Sequence, residues 1–296
     1  MSPTLRLAAL LFATAFASPS FAADYDWNQV ANALGKPGTV QPGGVYKIGL
    51  PRTDLKVMLD GVTVQPGLAL GGWLAFHDVG SQAMVMGDLV LTEDEVNPVM
   101  KKLQEGGIEI TALHNHLLRA APMTLYMHVH GQGDPVKLAT ALRAGLALSK
   151  TPIEGGAQQP ASTQQFDFST TEVDKVMGYK GKAAGVIYQF SIPRAEPTKE
   201  AGMEVPEAMG LTLPINFQSI GGGKAAITGD FVLTAEEVQP VLTALRDNGI
   251  EVTALHNHML AEQPRLFFVH FWAAKDALEL ARGLREALDA VNVKKT

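Results

Sequence analysis

GIEITALHNH at residues 107–116 returns as GIEVTALHNH at residues 249–258, an offset of 142 residues. The same offset carries GDLVLTEDEVNPV (87–99) onto GDFVLTAEEVQPV (229–241), Pro51-Arg52 onto Pro193-Arg194, Pro122 onto Pro264, His128 onto His270 and Leu142 onto Leu284. Self-similarity of this length at one fixed period marks an internal duplication. One residue must be inserted or deleted between Phe76 and Gly87 to extend the match upstream. The chain therefore reads as two copies of one domain, residues 24–150 and 166–292, joined by TPIEGGAQQPASTQQ at 151–165. That segment is rich in Gly, Pro, Ser and Gln and lacks an apolar period, the composition of a flexible linker. At about 5–6 Å times the square root of its length it spans about 20 Å, so the copies can pack side by side about a pseudo-twofold axis.

Each copy has one order of elements. VYKIGLPR, KVMLDGVTV, GGWLAFHDV and AMVMGDLVL read as strands separated by turn residues. Thr92 and Glu95, like Thr234 and Glu237, form the Thr-x-x-Glu capping box that starts a helix. Val96, Val99, Met100 and Leu103 follow at the spacing of one buried face, and Gly106-Gly107 stops it. Pro98 and Pro240, after the first turn, predict a kink or a late start. A strand pair carrying histidines comes next, then a closing helix with Asp134 as N-cap and Pro135 as first residue. The expected fold class is α+β: a duplicated domain, each copy a mostly antiparallel sheet with two helices packed on one face.

Composition narrows the function classes. Of 296 residues 46% are apolar, enough for a sizeable core, and the formal net charge is −6 with no basic stripe, which argues against a nucleic-acid partner. MSPTLRLAALLFATAFASPSFAAD begins the chain: Arg6, an apolar run from Leu7 to Ala17, then small residues around Ser20-Phe21-Ala22. This is the pattern of a secretory signal peptide over residues 1–22, too short in its apolar run for a comfortable membrane span. The expected location is periplasmic or secreted, with no membrane span in the mature protein. The sequence has no cysteine, so there is no disulfide framework and a metal site must use nitrogen and oxygen ligands or methionine sulfur.

Seven of the eight histidines lie in the two hairpin segments TALHNHLLRAAPMTLYMHVH (111–130) and TALHNHMLAEQPRLFFVHFW (253–272). Pairing the strands about a loop centred on Ala121 sets His114 opposite His128. Strand side chains alternate faces, so Ala112, His114, His116, Tyr126, His128 and His130 share one, while Leu113, Leu117, Leu125, Met127 and Val129 share the other, against the helices. In the second copy His256, His258, Phe268, His270 and Trp272 share the histidine face. Cross-strand neighbours have β-carbons about 4.5–5.5 Å apart, near enough for imidazoles to converge on one ion at about 2.0–2.1 Å each. The candidate metal ligands are His114, His116, His128 and His130 in the first copy and His256, His258 and His270 in the second. His77 is a further candidate, with Gln218 or Ser219 as its counterpart. Trp272 in place of a fourth histidine suggests a degenerate or differently tuned second site. A structural, hydrogen-bonded role for these histidines is the competing reading, but crowded imidazoles without a shared partner leave donors unsatisfied.

Other residues are weaker candidates. Asp88 and Asp230 follow Gly and read as turn formers, with a ligand or general-base role open. Glu95 and Glu237 are accounted for by capping. Asn115 and Asn257 satisfy backbone groups in this reading, Glu109 and Glu251 face solvent at strand starts, and Arg52 and Arg194 end strands at the surface. The sequence contains no Gly-rich phosphate loop, no Ser-His-Asp spacing and no His-Glu-x-x-His helix.

The two-copy layout, the ALHNH in each copy and the Pro-x-x-x-x-x-His that follows (Pro122 to His128, Pro264 to His270) resemble the LppY/LpqO family, the domain of unknown function numbered 1259. The resemblance covers nearly the whole mature chain. It implies the duplicated fold and export, and brings no activity, substrate or catalytic residues. Named members look like lipoproteins, whereas this sequence lacks the cysteine that would carry lipid. Three functions stand as expectations: an exported protein that binds zinc or copper through these histidines; a metal-dependent hydrolase in which an open coordination position activates water and Asp88 or Asp230 is the base; and a metal-free module whose histidine face binds a cell-envelope ligand.

Overall fold

The computed structural model describes residues 25–80, 82–153 and 166–295. The expected signal peptide lies outside them, as does most of the expected linker. The linker's first residues, Thr151–Ile153, are described, and Ile153 is buried in the core of the first repeat.

In the first repeat the strands are β1 (Thr39–Gln41), β2 (Val45–Pro51), β3 (Val57–Leu59), β4 (Val62–Val64), β5 (Gly71–Asp78), β6 (Ala83–Thr92), β7 (Glu109–His114) and β8 (Thr124–Gly133). Its helices are α1 (Trp27–Leu34), α2 (Pro66–Ala69), α3 (Glu93–Glu105) and α4 (Pro135–Leu146). The second repeat continues with α5 (Thr170–Met177), β9 (Lys182–Ala184), β10 (Ile187–Pro193), β11 (Thr198–Glu200), β12 (Met203–Val205), β13 (Thr212–Gly221) and β14 (Lys224–Leu233). It ends with α6 (Ala235–Asp247), β15 (Glu251–His256), β16 (Phe267–Asp276) and α7 (Ala277–Asp289). The six-stranded sheets have matching antiparallel orders, β1-β2-β5-β6-β8-β7 and β9-β10-β13-β14-β16-β15. The chain is a duplicated α+β fold.

KVMLDGVTV is not one strand but the hairpin β3–β4, because Asp60 and Gly61 turn the chain with φ of 48° and 81°. Its counterpart β11–β12 turns at Ala201 and Gly202. Both capping boxes form, and α3 runs unbroken through Pro98 from Glu93. Asp134 caps α4 by accepting from the Lys137 backbone N–H at 2.9 Å. The two expected helices, α3 and α4, cover one sheet face, and α1 packs beside α4.

Alternation in the strands then decides what each face meets. Odd positions of β6 and β8, among them Val85, Leu89, Met127 and Val129, pack with Val96, Val99, Leu103, Leu138 and Leu142 of the helices. Even positions meet the other repeat: Met84 and Met86 join Leu213 and Ile215, and Val90 and Tyr126 join Ile187, Ala226 and Trp272. The layers therefore run helices, sheet, sheet, helices, and the two histidine faces are pressed together in the middle. Nine of the ten residues of β6 are buried because both its faces are covered. Leu113 departs from the expected apolar set: β7 is the edge strand, and this side chain is 43% exposed. Leu117 lies past the end of β7 and is buried in the interface between repeats.

Candidate metal centre

The histidine hairpin pairs with Ala112 opposite His128 and His114 opposite Tyr126, two residues away from the pairing expected about Ala121. A two-residue shift preserves facing, so His114 and His128 remain on one side. The register also slips by one residue at Thr111, and again at Thr253. A single inserted residue inverts the parity beyond it, and this sets Glu109 opposite His130.

Six histidines gather between the sheets. His114 and His256 stack with ring centroids 3.5 Å apart. His116 lies over His270 at 3.6 Å, and His258 lies over His128 at 3.7 Å. Each second histidine of an ALHNH thus reaches the strand histidine of the other repeat, a reciprocal pseudo-twofold arrangement. Tyr126 backs His116 at 3.4 Å and Phe268 backs His258 at 3.5 Å.

Two sets of these side chains could hold a metal ion, their ligand atoms lying within 4.8 Å of one another: His114, His256, His258 and His270, and His114, His116 and His128. The expected triads are both brought together, but not as one site per copy, since His114 belongs to both sets. His130 joins neither. Its Nδ1 lies 3.0 Å from Glu109 Oε2, which the register slip carries to it. Glu109 is therefore partnered as well as exposed. Trp272, in the place of His130, is buried and donates its Nε1–H to Asp60 Oδ2 at 3.1 Å across the repeats. His77 also joins neither set; register places Gln218 as its counterpart, since His77 pairs with Met84 and Gln218 with Ala226.

Asp88 and Asp230 are not in turns. They sit in the middle of β6 and β14, opposite His128 and His270, and are 7% and 6% exposed. Asp88 Oδ1 stands 3.8 Å from His128 Nε2, and Asp230 Oδ2 stands 3.7 Å from His258 Nε2 and 3.8 Å from His270 Nε2. These separations exceed a hydrogen bond. Two ligands each about 2.0–2.2 Å from an ion can lie up to about 4.2 Å apart, so these spacings are compatible with a shared ion, although neither aspartate belongs to the two metal-capable sets. Burial pushes the Asp88 carboxyl from 3.8 up to about 8 against the pull of Lys47, and burial, with Asp88 nearby, raises Asp230 well above its ordinary value. Lys47, itself lowered to about 8 by burial, belongs to the first repeat alone; Gln189 takes its place in the second.

The imidazoles are neutral at physiological pH. Burial lowers His114 to about 3 and His256 to about 4, and burial with the neighbouring rings holds His116, His128, His258 and His270 well below 6.5. Neutral imidazole is the metal-binding form, so no proton competes for the ligand atoms. Among the described residues, Nδ1 of His114, Nε2 of His128, His256, His258 and His270, and Oδ1 of Asp88 and Asp230 are buried without a hydrogen-bond partner. Leaving one buried polar group unmet costs about 1–3 kcal/mol. Seven such atoms belong to the histidines of the cluster and the two aspartates beside them, a group whose histidines could hold a metal ion. A cavity beside the cluster, lined by His128 and His258, has about 10 Å³, room for about one water-sized occupant.

The remaining candidates are structural. Asn115 and Asn257 donate to the Leu117 and Met259 carbonyls at 3.3 and 2.9 Å. Arg52 and Arg194 are not at the surface. Arg52 is fully buried, bonding Glu95 Oε2 and the Val90 carbonyl at 2.7 Å each, and Arg194 repeats this with Glu237 and the Val232 carbonyl. Glu251, expected in solvent, pairs with Arg119 at 2.7 Å across the repeats. The sequence reading missed these two buried clamps, although Pro-Arg recurs with its capping glutamate at one offset in both copies.

Comparison with known proteins bears on the fold more than on the chemistry. Residues 28–148 and 171–290 each match the family model described as Domain of Unknown Function (DUF1259). No curated protein matches the chain. Among solved structures, a trimeric bacterial microcompartment shell protein, PduB, is 13% identical over 88% of this chain and 97% of that one, with a TM-score of 0.22. A likeness that slight carries no argument.

Proposed function

The chain belongs to the family of the Domain of Unknown Function (DUF1259), in two tandem copies, and from that premise we propose that it holds one transition-metal ion, zinc or copper, between its repeats. The observation that carries this reading is the gathering of six neutral imidazoles from both repeats, five of which, all but His116, have a buried ring nitrogen without a hydrogen-bond partner. Imidazole suits zinc, copper, nickel and iron. Four histidines around one point fill a tetrahedral sphere. Because His114 belongs to both sets, one ion occupies the cluster at a time. The four-histidine set takes His114 from the first repeat and His256, His258 and His270 from the second, so neither copy alone supplies it.

Binding is favoured over hydrolysis. Asp88 and Asp230 would serve as bases, but the cavity beside the cluster admits about one water and no organic substrate. A metal-free docking face is disfavoured because His128, His258 and His270 are only 4%, 8% and 3% exposed. The basic residue and apolar run at Arg6 to Ala17 support placing the protein in the periplasm or outside the cell, as a carrier, buffer or sensor of the ion. No helix among the described residues is long and apolar enough to cross a membrane. Elemental analysis of untagged protein after incubation with zinc or copper tests the reading: one ion per chain is expected, and no stoichiometric metal would refute it.

A further inference from the structure

The two ends of the histidine cluster differ. On one side the cavity next to His128 and His258 is lined by Met86, Met209, Met259 and Phe268. All three methionines are buried, at 6%, 1% and 2% exposure. Each has a counterpart on the opposite side, read from the repeat. His258-Met259 answers His116-Leu117, and Met86-Gly87-Asp88 answers Thr228-Gly229-Asp230. Met209, two residues before Leu211, answers Leu68, two before Leu70. No sulfur stands at any of those three counterparts.

The sulfur-free side is instead tied with hydrogen bonds. Tyr126, the counterpart of Phe268, donates to the Ala69 carbonyl at 2.7 Å, and Asn216 Nδ2 donates to the Leu68 carbonyl at 3.1 Å. Met86, Met209 and Met259 belong to the hydrophobic core of this side, where methionine commonly fills gaps, but they also line the cavity beside two imidazole Nε2 atoms that lack partners. Thioether sulfur is a soft ligand that selects copper(I), whereas zinc takes nitrogen and carboxylate oxygen readily.

Resting on the metal-binding reading above, we propose that this wall makes the centre selective for copper(I), held at the His128–His258 end with thioether sulfur from Met86, Met209 and Met259 among its ligands. The cavity's size, about one water-sized occupant, matches a bare monovalent ion rather than a hydrated one. The unlike ends also give the pseudo-twofold site a direction, with copper(I) meeting sulfur on one side only.

The test loads the full chain with copper(I) under reducing conditions, measures affinity by competition with a cuprous chelator, and records the copper absorption-edge fine structure. Zinc affinity is measured in parallel. Met86→Leu, Met209→Leu, Met259→Leu and the triple variant keep side-chain volume nearly constant, a swap that cores tolerate. The expected result is a sulfur scatterer in the first shell of the wild type. In the triple variant that scatterer is lost, copper(I) affinity falls by about tenfold or more, near 1.4 kcal/mol, and zinc affinity is unchanged. A nitrogen-only shell in the wild type, or undiminished copper(I) affinity in the triple variant, overturns the proposal while leaving metal binding intact. Should the triple variant not fold, the wild-type spectrum decides alone. Failure of the wild type to take up either ion overturns the underlying reading.

Discussion

His128 of the first repeat and His258 of the second stack with ring centroids 3.7 Å apart, one above Asp88 and the other beside Asp230. His258 groups with His114 of the first repeat, and His128 groups with that same His114, so the two sets share a ligand. In a shared centre, removing a ligand from either repeat damages the same ion's coordination. His258→Ala and His114→Ala are each expected to weaken metal binding on the order of 100-fold, the upper end for disturbing a metal's supporting groups, with native circular dichroism retained. Titration calorimetry on the two variants checks this. Two independent copies would instead leave half the binding capacity at full affinity.

Ligand-linked stability follows from the same geometry. A metal that binds only the folded chain stabilises it by about 2.7 kcal/mol at one hundred times its Kd. Adding a chelator should therefore lower the melting temperature of the wild type and leave His114→Ala unmoved. Differential scanning calorimetry with and without chelator measures both, and an equal response in the two proteins would count against the site.

The metal-free protein should be most stable near pH 6.5. His114, lowered from 6.5 to about 3, and His256, lowered to about 4, stay neutral in the fold, so the unfolded chain binds more protons as pH drops below 6.5. Their contribution is present above 6.5 and lost as pH falls, and the other four cluster histidines act in the same direction. Asp88, raised from 3.8 to about 8, acts in the opposite sense, as does Asp230: the native state holds their protons, and stability is lost as pH rises through that window. Six imidazoles outweigh two carboxyls below 6.5; above it only the carboxyls act. Melting temperatures across pH in the presence of chelator should peak near 6.5, and a monotonic rise from acid to alkaline pH would contradict the buried carboxyls.

Arg52 offers a control outside the centre. Its guanidinium is fully buried between Glu95, 2.7 Å away, and Asp54, 2.8 Å away. Removing one member of a buried pair leaves the other charge uncompensated, at a cost of about 3–5 kcal/mol. Arg52→Ala is expected to lose about that much in urea unfolding while the folded fraction keeps wild-type metal affinity. A variant that unfolds no more easily than wild type would remove the clamp from the account.

Much of this architecture could be read from one sequence, and the reasons are local. The Thr92–Glu95 and Thr234–Glu237 boxes, the Asp134 cap and the alternation through MHVH each report geometry fixed within a few residues. Facing survived a register error because the error was two residues. Single-residue events were not legible: the slips at Thr111 and Thr253 depend on pairing between strands, and they decide that His130 meets Glu109 rather than the cluster. The joining of both histidine faces depends on how the repeats dock. One signal did point to it, since AMVMGDLVL is apolar at nearly every position, as a strand covered on both faces must be. A lone Asp in such a run marks a buried carboxylate rather than a turn.

The most direct test is a crystal of the metal-loaded chain with anomalous scattering recorded at the absorption edge of the bound ion. The account predicts one peak per chain, between the two sheets, within about 2.0–2.3 Å of ligand atoms drawn from both repeats, His114 or His258 among them. Two peaks, one inside each repeat, or a peak at His130 and Glu109 with none between the sheets, would contradict it.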